Sequence, residues 1–67
     1  MSIEYTDKRF GVVAIEKGFI SLDQLLESIK IQIEEEIEQG LHRIIGAILV
    51  EKGVMNLLQV EEVLHSM

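Results

Sequence analysis

From about Lys8 to Lys17 the apolar positions Phe10, Val13 and Ala14 fall on one helical face, with Val12 and Ile15 widening it. This predicts a short helix buried on most sides. Gly18 is its stop, because a residue without Cβ enters the left-handed region at little steric cost. Ser21 then opens a second helix, and Gln24 completes a capping box, the hydroxyl accepting from the third amide while the glutamine side chain reaches back. Ile20 and Leu25 flank the cap as a hydrophobic staple. This second helix is the longest, about Leu22 to Gln39, with the stripe Leu22, Leu25, Leu26, Ile29, Ile33 and Ile37 and no proline to interrupt it. Ile31 points away from that stripe, toward a contact beyond the local pair. Gly40 ends the helix.

The pattern then recurs. Residues 10–32 laid over 45–67, a shift of 35, bring Gly11/Gly46, Glu16/Glu51, Lys17/Lys52, Gly18/Gly53, Leu22/Leu57, Gln24/Gln59 and Glu27/Glu62 into coincidence. A fixed-period self-match signals one supersecondary unit used twice, each copy burying its apolar face against the other. The second copy predicts a helix from about His42 to Lys52, Gly53 as stop, Asn56 as cap, and a last helix from Leu57 to about His65. No segment alternates with period two. The expected fold is therefore all-α, a small four-helix domain built from two tandem helix–turn–helix repeats. Residues 1–67 form a single domain, with an arm at 1–8, repeat one at 9–40 and repeat two at 41–67.

Composition sharpens this picture. At 67 residues the chain buries only about 60% of its unfolded surface, yet 48% of it is hydrophobic and nearly all of that aliphatic. That is more apolar surface than a small monomer hides, so part of it is expected to face a second protomer or another protein. Twelve acidic side chains against six basic ones give a net charge of −6, which opposes a phosphate backbone, so nucleic acid is excluded as a partner. There are no cysteines, hence no disulfides or thiolate metal sites. Met1-Ser2-Ile3-Glu4 does not read as a signal sequence, and no apolar run approaches the ~20 residues that span a bilayer. A cytoplasmic chain without membrane insertion is expected.

Catalytic constellations are missing: no phosphate-binding Gly-x-x-x-x-Gly-Lys loop, no Gly-x-Ser-x-Gly elbow and no cysteine nucleophile, so no enzyme activity and no cofactor is expected. Glu62 and His65 have the spacing that sets two metal ligands on one helix face, but a di-metal site needs a second such motif. Glu34, Glu35, Glu36 and Glu38 crowd the unfavourable negative end of the long helix, as a solvated helix end or as a docking surface for a basic partner. Arg9, Gln24, Gln32 and Arg43 adjoin the apolar faces. Leu25, Ile29 and Gln32 stand in line at helical spacing, which reads either as a core stripe with an amide at its rim or as an apolar platform with one hydrogen-bonding head.

Arg9, Phe10, Gly11, Ala14, Gly18, Leu25, Ile29 and Gln32 follow the pattern Arg-[Leu]-Gly-x-x-[Leu]-x-x-x-Gly-x-x-x-x-x-x-Leu-x-x-x-[Leu]-x-x-Gln. It resembles the motif of the N-terminal domains of bacterial type II secretion and type IV pilus assembly ATPases. The doubled copy extends the resemblance over residues 9–67. The resemblance implies a helical, non-catalytic module that docks onto partner components and in some members binds cyclic di-GMP through two tandem motifs. It implies Arg9, Phe10, Gly11, Leu25, Ile29 and Gln32 as the ligand-contacting set, the arginine on a phosphate or guanine, the aliphatic row over the base and the amide on an edge. Phe10 and Ala14 stand where leucines are usual. In the second copy Ile44 occupies the arginine position, with Arg43 one residue away, and Met67 occupies the glutamine position. The ATPase portion has no counterpart here, and Met1 ahead of a near-complete double motif reads as a free-standing relative. The expected function is a protein-interaction module, self-associating as a homo-oligomer or docking on another protein, with a cyclic di-GMP-binding regulatory domain as the alternative.

Overall fold

Two glycines and two capping boxes mark out the helices. Gly18 and Gly53 both take positive φ, 79° and 76°, and close the helices before them. Ser21 and Asn56 then accept from the Gln24 and Gln59 amides at 3.2 and 2.8 Å, and both glutamines return the bond to the cap's own N–H. The computed structural model describes residues 5–67, with side chains from Asp7 onward, and contains α1 (Tyr5–Glu16), α2 (Leu22–Gln39), α3 (Ile45–Glu51) and α4 (Leu57–Ser66). Among the described residues there is no strand. The fold is all-α.

Three boundaries and faces differ from the sequence expectation. The helix expected from Lys8 starts at Tyr5, so residues 5–8 continue α1; the rest of the expected arm lies outside the described residues. Among the described side chains of that turn the buried one is Asp7, which no apolar stripe announces. Helix α3 begins at Ile45 rather than His42, since Ile44 is extended with ψ 151° and the Arg43 carbonyl accepts from Gln32 outside any helical ladder. The third difference is rotational. The buried face of α2 is Leu25, Ser28 and Gln32, while Leu22, Leu26 and Ile37 of the expected stripe are exposed and Ile29 and Ile33 half-buried.

The main packing runs between halves of the chain, with α2 on α3, α1 on α3 and α1 on α4. Ala14, Ile45, Leu49 and Val63 are fully buried at the centre, and Ile48 is fully buried outside that cluster. Close approach depends on two glycines: a Cβ at Gly46 would lie 3.1 Å from the Phe10 ring, and one at Gly11 2.6 Å from the Leu25 methyls. Ion pairs follow the same crossed pattern. Lys17 at the end of α1 meets Glu62 of α4 at 3.3 Å, and Lys52 beyond α3 meets Glu27 of α2 at 2.6 Å.

Burial sets the scale of the first prediction. A domain of this length is worth roughly 3–10 kcal/mol in all, so Leu49→Ala, losing about 2–5 kcal/mol, is expected to leave a chain close to its unfolding threshold. Leu58→Ala, at a site 77% exposed, should stay within about 0.5 kcal/mol of the parent. Urea unfolding of both variants measures the contrast.

Candidate functional site

The polar atoms that matter most meet where α1, α2 and the start of α3 converge. Gln32 is 3% exposed and Asp7 4%, so both side chains need partners within the protein. The Gln32 amide nitrogen donates to Asp7 Oδ2 at 2.9 Å and to the Arg43 carbonyl at 2.7 Å, using both its hydrogens. The Ile45 N–H donates to Asp7 Oδ1 at 3.3 Å. Ile44, in the N-cap position of α3, has no side-chain acceptor. Asp7 therefore caps α3 from another helix, with its carboxylate at the end of α3 where backbone N–H groups lack intrahelical partners. Sequence reasoning missed Asp7. The available signal was Ile44-Ile45 opening a helix with no capping residue of its own.

Arg43 fastens the linker from its other side. Its Nε and Nη2 reach Glu35 Oε1 and Oε2 at 2.9 and 2.7 Å in a two-point fork, while Nη1 and Nη2 reach Glu51 at 2.8 and 3.3 Å. The hydrogen bond from Arg43 holds the Glu35 carboxyl below the usual glutamate range, and the same bonds hold the guanidinium above its own. Within the acidic run at the end of α2, Glu35 thus closes onto the linker and Glu36 lies 3.8 Å from His42 Nδ1, while Glu34 and Glu38 remain exposed.

The six residues singled out by the resemblance lie around this junction, but most face inward. Arg9 is exposed on α1; Phe10, Gly11, Leu25 and Gln32 are buried, and Ile29 packs half-buried against the core. The Leu25–Ile29–Gln32 line is thus an inner stripe, with its amide satisfied by Asp7 and Arg43. Of the six, only Phe10 lines the small apolar cavity between α1, α3 and α4, shared with Asp7, Ile44, Gly46, Val60 and Leu64. Its volume of about 60 Å³ is well below the ~300 Å³ at which small-molecule pockets begin. In α4, Glu62 pairs with Lys17 and His65 is exposed, and no group of three or more His, Cys, Asp or Glu among the described residues is arranged to hold a metal.

What lies open is apolar. Leu57, Leu58, Ile37 and Ile44 are 70, 77, 68 and 60% exposed, and Leu22, Leu26, Leu41 and Leu64 about half exposed. No helix among the described residues is long and apolar enough to cross a membrane.

Two predictions test the junction. Asp7→Asn puts an amide where two donors converge, leaving one of them facing N–H groups, and is expected to cost about 1–3 kcal/mol in urea unfolding; Arg9→Ala, on the exposed side of α1, should cost less than about 0.5 kcal/mol. Glu35 sets a pH dependence. Because its folded pKa lies below the unfolded value of about 4.3, its contribution is whole above that pH and is lost as pH falls through the folded pKa. The stability gap between the parent and Glu35→Gln is expected to be constant near neutrality and to close in acid, read from thermal melts across pH. No protein-family model, curated protein or solved structure matches this chain.

Proposed function

We propose that this chain is a non-catalytic interaction module, of the kind the N-terminal domains of secretion and pilus assembly ATPases supply, which docks on protein through aliphatic faces its own fold leaves uncovered. The observation that carries the reading is the exposure of Leu57, Leu58 and Ile37, each more than two thirds open to water, in a chain with a dry core of its own. Covering such side chains is favourable by roughly 25 cal/mol per Å² of apolar area, and a net charge of −6 directs that surface away from nucleic acid. The partner is a second copy of the chain or another protein.

The buried junction favours this reading over cyclic di-GMP recognition. A nucleotide edge would have to displace Asp7 and the Arg43 carbonyl from Gln32, leaving buried groups unpaired at about 1–3 kcal/mol each.

Calorimetric titration of cyclic di-GMP is expected to give no saturable heat up to about 1 mM, the weak end of measurable affinities. In parallel, the folded chain should raise the fluorescence of an anilinonaphthalene sulfonate dye, and the Leu57→Ser/Leu58→Ser double variant should lower that signal without a loss of helicity. Saturable heat that disappears in Arg9→Ala while its melting point holds would overturn the reading in favour of a nucleotide receptor.

A further inference from the structure

Helix α2 carries a second apolar row that its own fold covers only in part, with Ile29 and Ile33 half-buried. Leu22, Leu26, Ile29, Ile33 and Ile37 follow one another at steps of 4, 3, 4 and 4, close to the alternation of 3 and 4 that makes a continuous seam along a helix. The inward face of α2 is set by Leu25, Ser28 and Gln32, so this row lies to one side of it. Leu22, Leu26 and Ile37 are 58, 53 and 68% exposed.

Resting on the docking reading above, we infer that the N-terminal half of this seam, Leu22, Leu26 and Ile29, pairs with the same residues of a second copy, antiparallel, with Leu26 nearest the two-fold axis. Charge selects the partner and its direction. The acidic side chains that tie α2 to the rest of the fold are Glu27, Glu35 and Glu36, while Asp23 and Lys30, both exposed, share the outer flank of the seam seven residues apart. Antiparallel pairing centred between them sets each Asp23 opposite the other copy's Lys30, twice by symmetry. Parallel pairing instead puts the Asp23 and Lys30 side chains of the two copies on opposite flanks of the seam, where they do not meet, and lays the two runs Glu34 to Glu38 at the same level.

In the antiparallel arrangement those runs sit roughly 28 Å apart along the axis at 1.5 Å per residue, beyond the ~8–10 Å over which charge is felt in physiological salt. In this register α2 overlaps its copy over residues 22–31, a patch well below the ~800 Å² per partner of a standard interface, so the dimer is a weak one.

The test is sedimentation velocity from about 1 µM to about 1 mM, a range that spans such affinities, together with single-cysteine cross-linking, which is unambiguous because the chain has no cysteine. The parent is expected to dimerise and Leu26→Glu to stay monomeric with an unchanged melting point. Lys30→Glu should weaken the dimer roughly tenfold, and the exchange Asp23→Lys with Lys30→Asp should restore it. Under mild oxidant Leu26→Cys should form a disulfide-linked dimer and Ile37→Cys should not.

Cross-linking of Ile37→Cys as readily as Leu26→Cys would mean parallel pairing and overturn the proposal, as would a dimer indifferent to Leu26→Glu. A strict monomer that still binds the dye and ignores cyclic di-GMP would overturn the pairing while leaving the docking reading intact. Nucleotide binding abolished by Arg9→Ala would remove the docking reading itself.

Discussion

The buried carboxylate of Asp7 is the contact on which the rest of the structure depends. A carboxylate taken out of water is costly unless each oxygen accepts a hydrogen bond, and here one oxygen takes the Gln32 amide and the other the Ile45 N–H. Those two bonds join α1 to α2 and α1 to the first residue of α3. They tie the chain's beginning to its second half, and they do so with directional bonds where aliphatic packing alone would tolerate a slip. Gln32 extends the same network to the Arg43 carbonyl, so the linker between the halves is held by its backbone as well as by its side chain.

This arrangement divides the domain into regions with different physics. At one end is a polar junction; through the middle runs a dry apolar centre of Ala14, Ile45, Leu49 and Val63; across the surface Lys17–Glu62 and Lys52–Glu27 link helices from different halves. The two ends are not equivalent. Thirty-five positions on from Asp7 and Gln32 stand His42 and Met67, so the second half has no counterpart to the buried amide and carboxylate. The polar network orients α1 against α3 at one end only, and the rest of the domain is positioned by apolar packing.

The functional reading follows from what the core leaves over. With Leu25, Ser28 and Gln32 turned inward and Ile29 half-buried beside them, α2 devotes to the interior a face on which a hydroxyl and an amide share the space with aliphatic side chains. A helix so rich in leucine and isoleucine then presents much of its apolar surface to water. In a chain this small, the surface that would complete a larger core is available instead to another molecule.

Much of the architecture was legible in the sequence because it depends on local chemistry. The stops at Gly18 and Gly53 and the caps at Ser21 and Asn56 need only neighbouring atoms, and each was read from residue type and spacing. The excess of aliphatic residues likewise implies exposed apolar surface. What only tertiary structure decided was every feature that depends on a partner distant in the chain. Asp7 caps a helix 38 residues away, a distance at which no sequence window connects an acid with an uncapped Ile44. The rotation of α2 was hidden for a related reason: its richest hydrophobic stripe is not its buried face, because the position of Gln32 is determined by Asp7 and the Arg43 carbonyl rather than by hydrophobicity. Periodicity reports which surfaces avoid water, and only packing decides which of them the chain covers by itself.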